Sequence, residues 1–391
     1  MFNENLWTSD VGALNEATKT KLENKLRNSQ PRAREALERL VKEGKIQTDV
    51  VAPIGVNQRS ENPQPFITFD SNGQLKMCMD ENILERNQVN LDSSWFNLHE
   101  NAVTQIAEKF GVPGKYLKQL AKGEQWQRDL AANILNEHSY NTHRSRVLVR
   151  SVGNEVRGVL SDQYKRYDAK EIVTAFMQSV QEQGGVLVDG LMTDTRVFFE
   201  TMKPYPIIVP TQKNGDVLLA FGARLATSDF GNGALELRSY LMQITCLNEM
   251  VRETQLKKVH LGSRLPDNIQ LSQRTYNYDT KTMASAIKDI TQQIYSNENI
   301  DKQAYMIQRA SESEVDFEKE LKNLSRNKIT QEEAAGVQKV INKSDPEDGL
   351  TGEGTLWKLV NGMTAYARDM ENPERKREIS EIAGGLMERA K

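Results

Sequence analysis

The chain has 391 residues, 38% of them apolar and 27% charged, with a net charge of −3 at pH 7. That length predicts two or three structural units, and that composition supports a buried core and excludes global disorder. The charge excludes a basic character spread over the whole chain, so a nucleic-acid binder here needs a local patch.

Residues 10–43 predict a helical arm, because Leu14, Leu22, Leu26, Leu37, Leu40 and Val41 fall near helical spacing. Pro31 predicts a break into two helices, and Gly44 suits the end of the second. Residues 52–65, with Pro53, Gly55, Pro63 and Pro65, read as a linker. A hairpin follows, with Phe66–Phe69 and Leu75–Met79 flanking Asp70-Ser71-Asn72-Gly73. A helix over Glu100–Phe110 is closed by Gly111, and Pro113 opens another.

The centre changes character. Arg146–Arg150 and Val156–Leu160 around Gly153-Asn154 predict a hairpin. A helix over Ala169–Gln183, strands at 186–191, 195–201 and 216–226, and a strong turn at Ser228–Gly233 come next. The stripe Leu237, Leu241, Ile244, Leu247 and Val251 predicts a long helix over Ala234–Leu256. From about 275 the chain reads as polar helix, broken at 344–354 and ending in a helical pair over 355–390.

The expected fold class is α+β: a central antiparallel β-sheet with packed helices, flanked by helical N- and C-terminal regions. The expected division is a helical arm and linker (1–60), a small α/β region (61–141), a central α+β core (142–270) and a helical C-terminal region (271–391).

Two cysteines far apart, Cys78 and Cys246, give no disulfide framework and predict buried thiols in a reducing, cytoplasmic compartment. No run approaches the roughly 18 apolar residues of a membrane span. The start, MFNENLWTSDVG, lacks the basic-then-apolar order of a secretory signal.

The phosphate-loop pattern is missing: Gly111-Val112-Pro113-Gly114-Lys115 has a Gly-Lys pair, but Tyr116 stands where a hydroxyl is needed. His138 and His143 beside Glu137 make a weak metal motif, better read as a polar turn. No catalytic residue, metal site or cofactor is therefore nominated.

Two clusters suit nucleic acid. In Tyr164-Lys165-Arg166-Tyr167, two rings flank two cations just after a strand, which is what single-strand binding uses: every base has a π-face and every nucleotide a phosphate. The ordinary alternative is that the tyrosines pack and the cations are solvated. Arg252, Lys257, Lys258, His260 and Arg264 follow at the end of the expected long helix, where the helix dipole alone also favours cations.

Several motifs recur in one order along the chain: Ala107–Pro113; the Arg150 strand with Val159-Leu160-Ser161-Asp162-x-Tyr164; Ser228-Asp229-x-Gly231; Cys246-x-Asn248; and Trp357-x-x-x-Asn361-x-x-Thr364-x-Tyr366. In these the chain resembles the phage- and plasmid-like family called domain of unknown function 932. Relative to that pattern, Phe230 stands near the place of a His, Gln243 replaces an Arg, and Ala365 replaces an acid. If those groups are catalytic in relatives, the resemblance implies that this chain has lost the reaction and keeps a binding or structural role. The order of helix, three strands and helix after residue 169 is also similar to the core of ring-forming single-strand annealing proteins, which implies backbone binding without ATP. The expected function is a phage or plasmid single-stranded DNA-binding protein, annealing strands as a homo-oligomer. The rivals are a protein-interaction module, such as a phage inhibitor of a host defence factor, and an enzyme with an unfamiliar site.

Overall fold

A computed structural model describes residues 16–56, 61–89, 94–142, 145–244, 246–258, 260, 272–345, 350 and 354–390. In chain order its elements are α1 (Glu16–Ile46), β1 (Gln47–Ile54), β2 (Ile67–Asp70), β3 (Lys76–Met79), α2 (Glu81–Arg86), β4 (Trp95–Leu98), α3 (Glu100–Phe110), α4 (Gly114–Lys122), α5 (Gln125–Asn141), β5 (Ser145–Val152), β6 (Glu155–Ser161) and α6 (Ala169–Glu182). Then come β7 (Val186–Met192), β8 (Val197–Met202), β9 (Ile207–Val209), β10 (Val217–Thr227), β11 (Leu235–Gln243), β12 (Asn248–Lys258), α7 (Gln273–Ile294), α8 (Asn297–Glu312), α9 (Phe317–Leu324), α10 (Gln331–Lys343), α11 (Leu356–Arg368) and α12 (Pro373–Met387). The fold is α+β with helical regions at both ends, as expected, but it carries two sheets rather than one central sheet.

The first sheet has the order β1-β5-β6-β4-β3-β2. Its pairs are antiparallel except β4 with β6, where Asn97 lies beside Glu155. Its core joins Ile54, Ile67, Phe96, Val149 and Val156 to the inner faces of α3, α4 and α5. Gly111 ends α3 in the left-handed region at φ 69°, where a side chain is strained, and Pro113 caps α4. The second sheet runs β12-β11-β10-β8-β7, with β9 added to β10. One face, carrying Phe199, Phe221, Leu225 and Leu237, packs on α6, α7 and the C-terminal helices. The other carries Met202, Tyr240 and Met242 and meets Leu22 and Leu26 of α1. Among the described residues no helix is long and apolar enough to cross a membrane.

Two expectations are corrected. The long helix over 234–256 is the hairpin β11–β12, whose turn holds Cys246 and Leu247, the latter at φ 56°. The Leu237/Leu241/Ile244 stripe fits a helix, but Leu235, Leu237 and Leu241 also fit a strand's two-residue alternation. The unpaired edge of β10 settles the choice by supplying a full ladder from Leu219↔Gln243 to Ala226↔Glu236. The N-terminal arm is one helix, not two: α1 passes through Pro31 and Gly44 to Ile46. Ser29, which donates from Oγ to Lys25 O and to Val188 O, ties the proline turn to the sheet, and Ala33, Ala36 and Leu40 are buried beyond it. Cys78 and Cys246 form no disulfide; Cys246 is buried in the β11–β12 turn, and Cys78 is half-buried on β3.

Candidate nucleic-acid interface

The segment after β6 folds into the junction between the two sheets. Tyr164 is 8% exposed, donates from its hydroxyl to Ser228 O at 2.9 Å, and stacks on His260 at 4.8 Å and 4°. Burial pushes its hydroxyl well above the ordinary tyrosine range. Tyr167 is 3% exposed and leans on the same imidazole at 5.2 Å. Neither ring offers a base an open face. His260 is buried as well: its backbone carbonyl accepts from Lys165 N at 3.1 Å, and Nδ1 lies 2.9 Å from Lys165 O. Burial pushes its pKa below the ordinary histidine value, so the ring is neutral at pH 7.

The cations of the two sequence clusters separate. Arg166 is buried, 3.3 Å from Asp49, with its guanidinium 3.9 Å over the Tyr276 ring. Burial pushes its pKa down. Lys165 is half-exposed and faces Asp279 at 3.8 Å. Lys257 and Lys258 are exposed on β12; Lys257 pairs with Glu236 at 2.9 Å. Arg252 has its backbone in β12, but its side chain and all of Arg264 lie outside the described residues, as does His143. His260 thus brings the clusters together through hydrogen bonds to the Lys165 backbone, while Lys257 of β12 faces a carboxylate of its own sheet.

What orders this segment is Arg150, 1% exposed on β5. Nε and Nη2 donate to both oxygens of Asp49 at 2.7 and 3.2 Å, Nη2 also donates to Asp168 Oδ1 at 2.6 Å, and Nη1 donates to Asp229 O at 3.0 Å. Burial opposes its charge, but the three carboxylates outweigh that and raise its pKa. The knot joins β1 and β5 of the first sheet to α6 and the β10–β11 turn of the second. Asp168 precedes α6 yet turns its carboxylate to Arg150, and Asp229 Oδ1 accepts from Ala169 N at 2.8 Å in its stead. Burial pushes Asp229 up to about 7, with Asp168 and Asp49 adding to the effect of burial against the pull of Arg150. Two guanidiniums, Arg150 and Arg166, face three acids, and the excess of acid agrees in direction with the upward push on Asp229. A cavity of about 310 Å³ opens beside it, lined among others by Asp49, Arg150, Asp168, Arg196 and Asp229. Among the described residues no three His, Cys, Asp or Glu side chains are grouped to hold a metal ion.

An open ring beside open cations does exist nearby, on α7. Arg274, Tyr278, Lys281, Ser285 and Lys288 follow one another at three- and four-residue spacing and so share one helix face. Tyr278 is 55% exposed; the Arg274 guanidinium lies 5.5 Å from its ring and donates to its hydroxyl at 3.2 Å. The opposite side of the same helix turn presents Tyr276 to Arg166, which places this stripe beside the 160–168 segment. Asp279 and Asp289 are the acids on this stretch of α7. The sequence signal for these residues is Arg274-Thr275-Tyr276-Asn277-Tyr278 with Lys281, the same aromatic–basic interleaving as at 164–167, set in a stretch read only as polar helix.

The motifs quoted from the sequence gather in two places. Arg150, Tyr164 and Ser228-Asp229 meet in the knot. Cys246 and Asn248 meet the C-terminal helices, where Asn248 Nδ2 donates to Asn361 O at 3.4 Å and Arg368 Nη1 donates to Cys246 O at 3.1 Å. No family description, curated protein or solved structure matches the chain.

Proposed function

We propose that this chain binds single-stranded DNA along the outward stripe of α7, with the neighbouring Lys165 beside it. The observation that carries this reading is the exposed Tyr278 in a row with Arg274, Lys281 and Lys288. A ring with an open face stacks any base, and cations two helical turns apart along one face follow a phosphate backbone without reading sequence. The resemblance to phage and plasmid proteins is compatible with a role in strand annealing during recombination, by a homo-oligomer that uses no nucleotide triphosphate. The role first assigned to Tyr164 and Tyr167 passes to Tyr278, while those two rings brace the junction from inside.

The test is fluorescence anisotropy of a labelled dT oligomer at several salt concentrations. Binding should weaken steeply with salt, and Arg274→Gln with Lys281→Gln should lower the log–log slope by about 0.7 per lost phosphate contact. A parent chain that binds nothing at low salt defeats the reading and favours the interaction-module alternative.

A further inference from the structure

We infer that the outer face of α4 and the start of α5 form a second site for single-stranded nucleic acid, on the first-sheet unit and separate from α7. Lys115, Lys118 and Lys122 lie at three-, four- and seven-residue spacing, so they share a face of α4. Leu117 and Leu120 turn inward to the core of the first sheet, which fixes the lysine face outward. The helix GKYLKQLAK contains three lysines and no carboxylate. Two exposed rings accompany it: Tyr116, within α4 and about 100° around the helix from Lys115, is 49% exposed, and Trp126, on the first turn of α5, is 60% exposed.

The nearby acids are accounted for. Glu100 of α3 pairs with Lys122, and both side chains are more than half exposed, so the pair opens to a competing phosphate at little cost. Glu124 caps α5 in a capping box with Gln127, and its Oε2 accepts from Trp126 Nε1 at 3.1 Å. That bond holds the indole at the helix start while leaving the ring in solvent. A row of three lysines, with a phenol exposed on the next flank of the same helix and an indole exposed at the start of the following one, matches an occupant that is anionic and also presents flat π-faces. An acidic peptide supplies the first property without the second; a single strand supplies both. The two stripes belong to different cores, α4 to the first-sheet cluster and α7 to the second. The Arg150 knot joins those units, so one chain holds two strand segments at a fixed relation.

The experiment is tryptophan emission of the full chain titrated with an unlabelled dT oligomer. Emission should fall on binding, and Trp126→Phe should remove that fall, assigning it to this site. Lys115→Gln, Lys118→Gln and Lys122→Gln together should raise the concentration for half-quenching at least several-fold and flatten its salt dependence. A chain altered on α7 (Arg274→Gln, Tyr278→Ala, Lys281→Gln) should keep the Trp126 quench while its anisotropy-detected affinity drops. If that α7 variant binds as the parent does and the quench persists, the α7 reading fails and the α4 site stands. The α4 site is overturned by a parent emission that dT leaves unchanged, by a triple-lysine variant quenched like the parent, by a quench that disappears in the α7 variant, or by a polyglutamate peptide that quenches as well as dT.

Discussion

Residues 164–167 and 274–281 carry the same kinds of side chain, tyrosines interleaved with Lys and Arg, yet the fold gives them opposite surroundings. In the first, both rings are buried around His260 and Arg166 is sealed between Asp49 and Tyr276. In the second, Tyr278 and Arg274 lie on the outer face of a helix. An aromatic–basic cluster is therefore not an interface by composition. What decides is whether the cation is buried against a carboxylate, as Arg166 is and Lys165 is not, and whether a neighbouring core claims the ring.

The comparison breaks most severely at Arg150. Replacing it with Gln leaves Asp49, Asp168 and Asp229 facing one another in a buried junction without their common partner. Removing one member of a buried, hydrogen-bonded ion pair costs about 3–5 kcal/mol. Arg150→Gln should lose stability on that scale in urea unfolding. The loss should be partly restored above pH 7 by adding Asp229→Asn, which removes one of the three crowded acids. A singly substituted chain as stable as the parent would show that the knot does not join the two units.

The next effect is one of pH, and its sign differs between two buried acids. Asp229 titrates at about 7 in the folded chain, against an ordinary value of 3.8. Between those values the folded state keeps a proton that the unfolded state has released. Its contribution to stability is thus complete below about 4 and is lost as pH rises to about 7. Glu249 behaves in the opposite way: burial alone would raise it, but Lys25 beside it holds it down at about 2. Its contribution is present above the ordinary glutamate range and is lost as pH falls towards 2. In the parent, stability between pH 4 and 7 should decline more than in Asp229→Asn, and Glu249→Gln should flatten the acid limb only. Denaturant midpoints measured across pH 3–8 separate the two. An Asp229→Asn chain with the parent's slope between pH 4 and 7 would remove Asp229 from the account.

Tyrosine substitutions sharpen the contrast directly. Tyr164→Ala removes a buried ring together with its bond to Ser228 and should cost several kcal/mol in folding, as large-to-small changes of buried aromatics do at about 3–5 kcal/mol. Tyr278→Ala should leave folding within about 0.5 kcal/mol of the parent, as exposed positions usually do. If bases stack there, it should weaken dT binding by about 1–3 kcal/mol with the salt slope nearly intact. Urea unfolding and anisotropy on the same two variants give a crossed pattern. A parallel pattern, in which both variants lose folding or both lose only binding, would erase the distinction between the clusters.

How much of this was legible in the sequence follows from how local each signal is. The hairpins around Asn72-Gly73 and Gly153-Asn154, α3 with Gly111 behind it, and α6 before Gly184 are set by turn residues and short periodicities, and they read correctly. The β11–β12 hairpin did not, because Leu237 and Leu241 satisfy both periods, Ile244 extends only the helical one, and the partner that decides is β10, which precedes it in the chain. Pro31 misled for the same reason: a proline weakens a helix locally, whereas the packing of α1 along β7 is not local. At the site, the composition of 164–167 was visible, but its burial depends on Asp49, Ser228 and His260, far away in sequence. Arg150 stood out only as part of a motif, since nothing local says that a strand arginine will gather three distant carboxylates.

The smallest expected effect comes from Lys257. It is exposed on β12, and its ammonium lies 2.9 Å from Glu236 on the neighbouring strand. Such a pair contributes about 0–1 kcal/mol, so Lys257→Gln should scarcely move the unfolding midpoint. Binding is the more telling readout. A lysine that faces a carboxylate must leave it to meet a phosphate, so it releases less net counterion than a lysine already facing water. Glu236 is itself held by Arg238 at 2.7 Å, and the removal of Lys257 therefore leaves it paired. Under the α7 reading, Lys257→Gln should change the salt slope of dT binding by less than Lys281→Gln does. If Lys257→Gln instead flattens the slope by the full amount expected of a phosphate contact, about 0.7, the strand runs over β12 and the interface lies at the sheet edge rather than on α7.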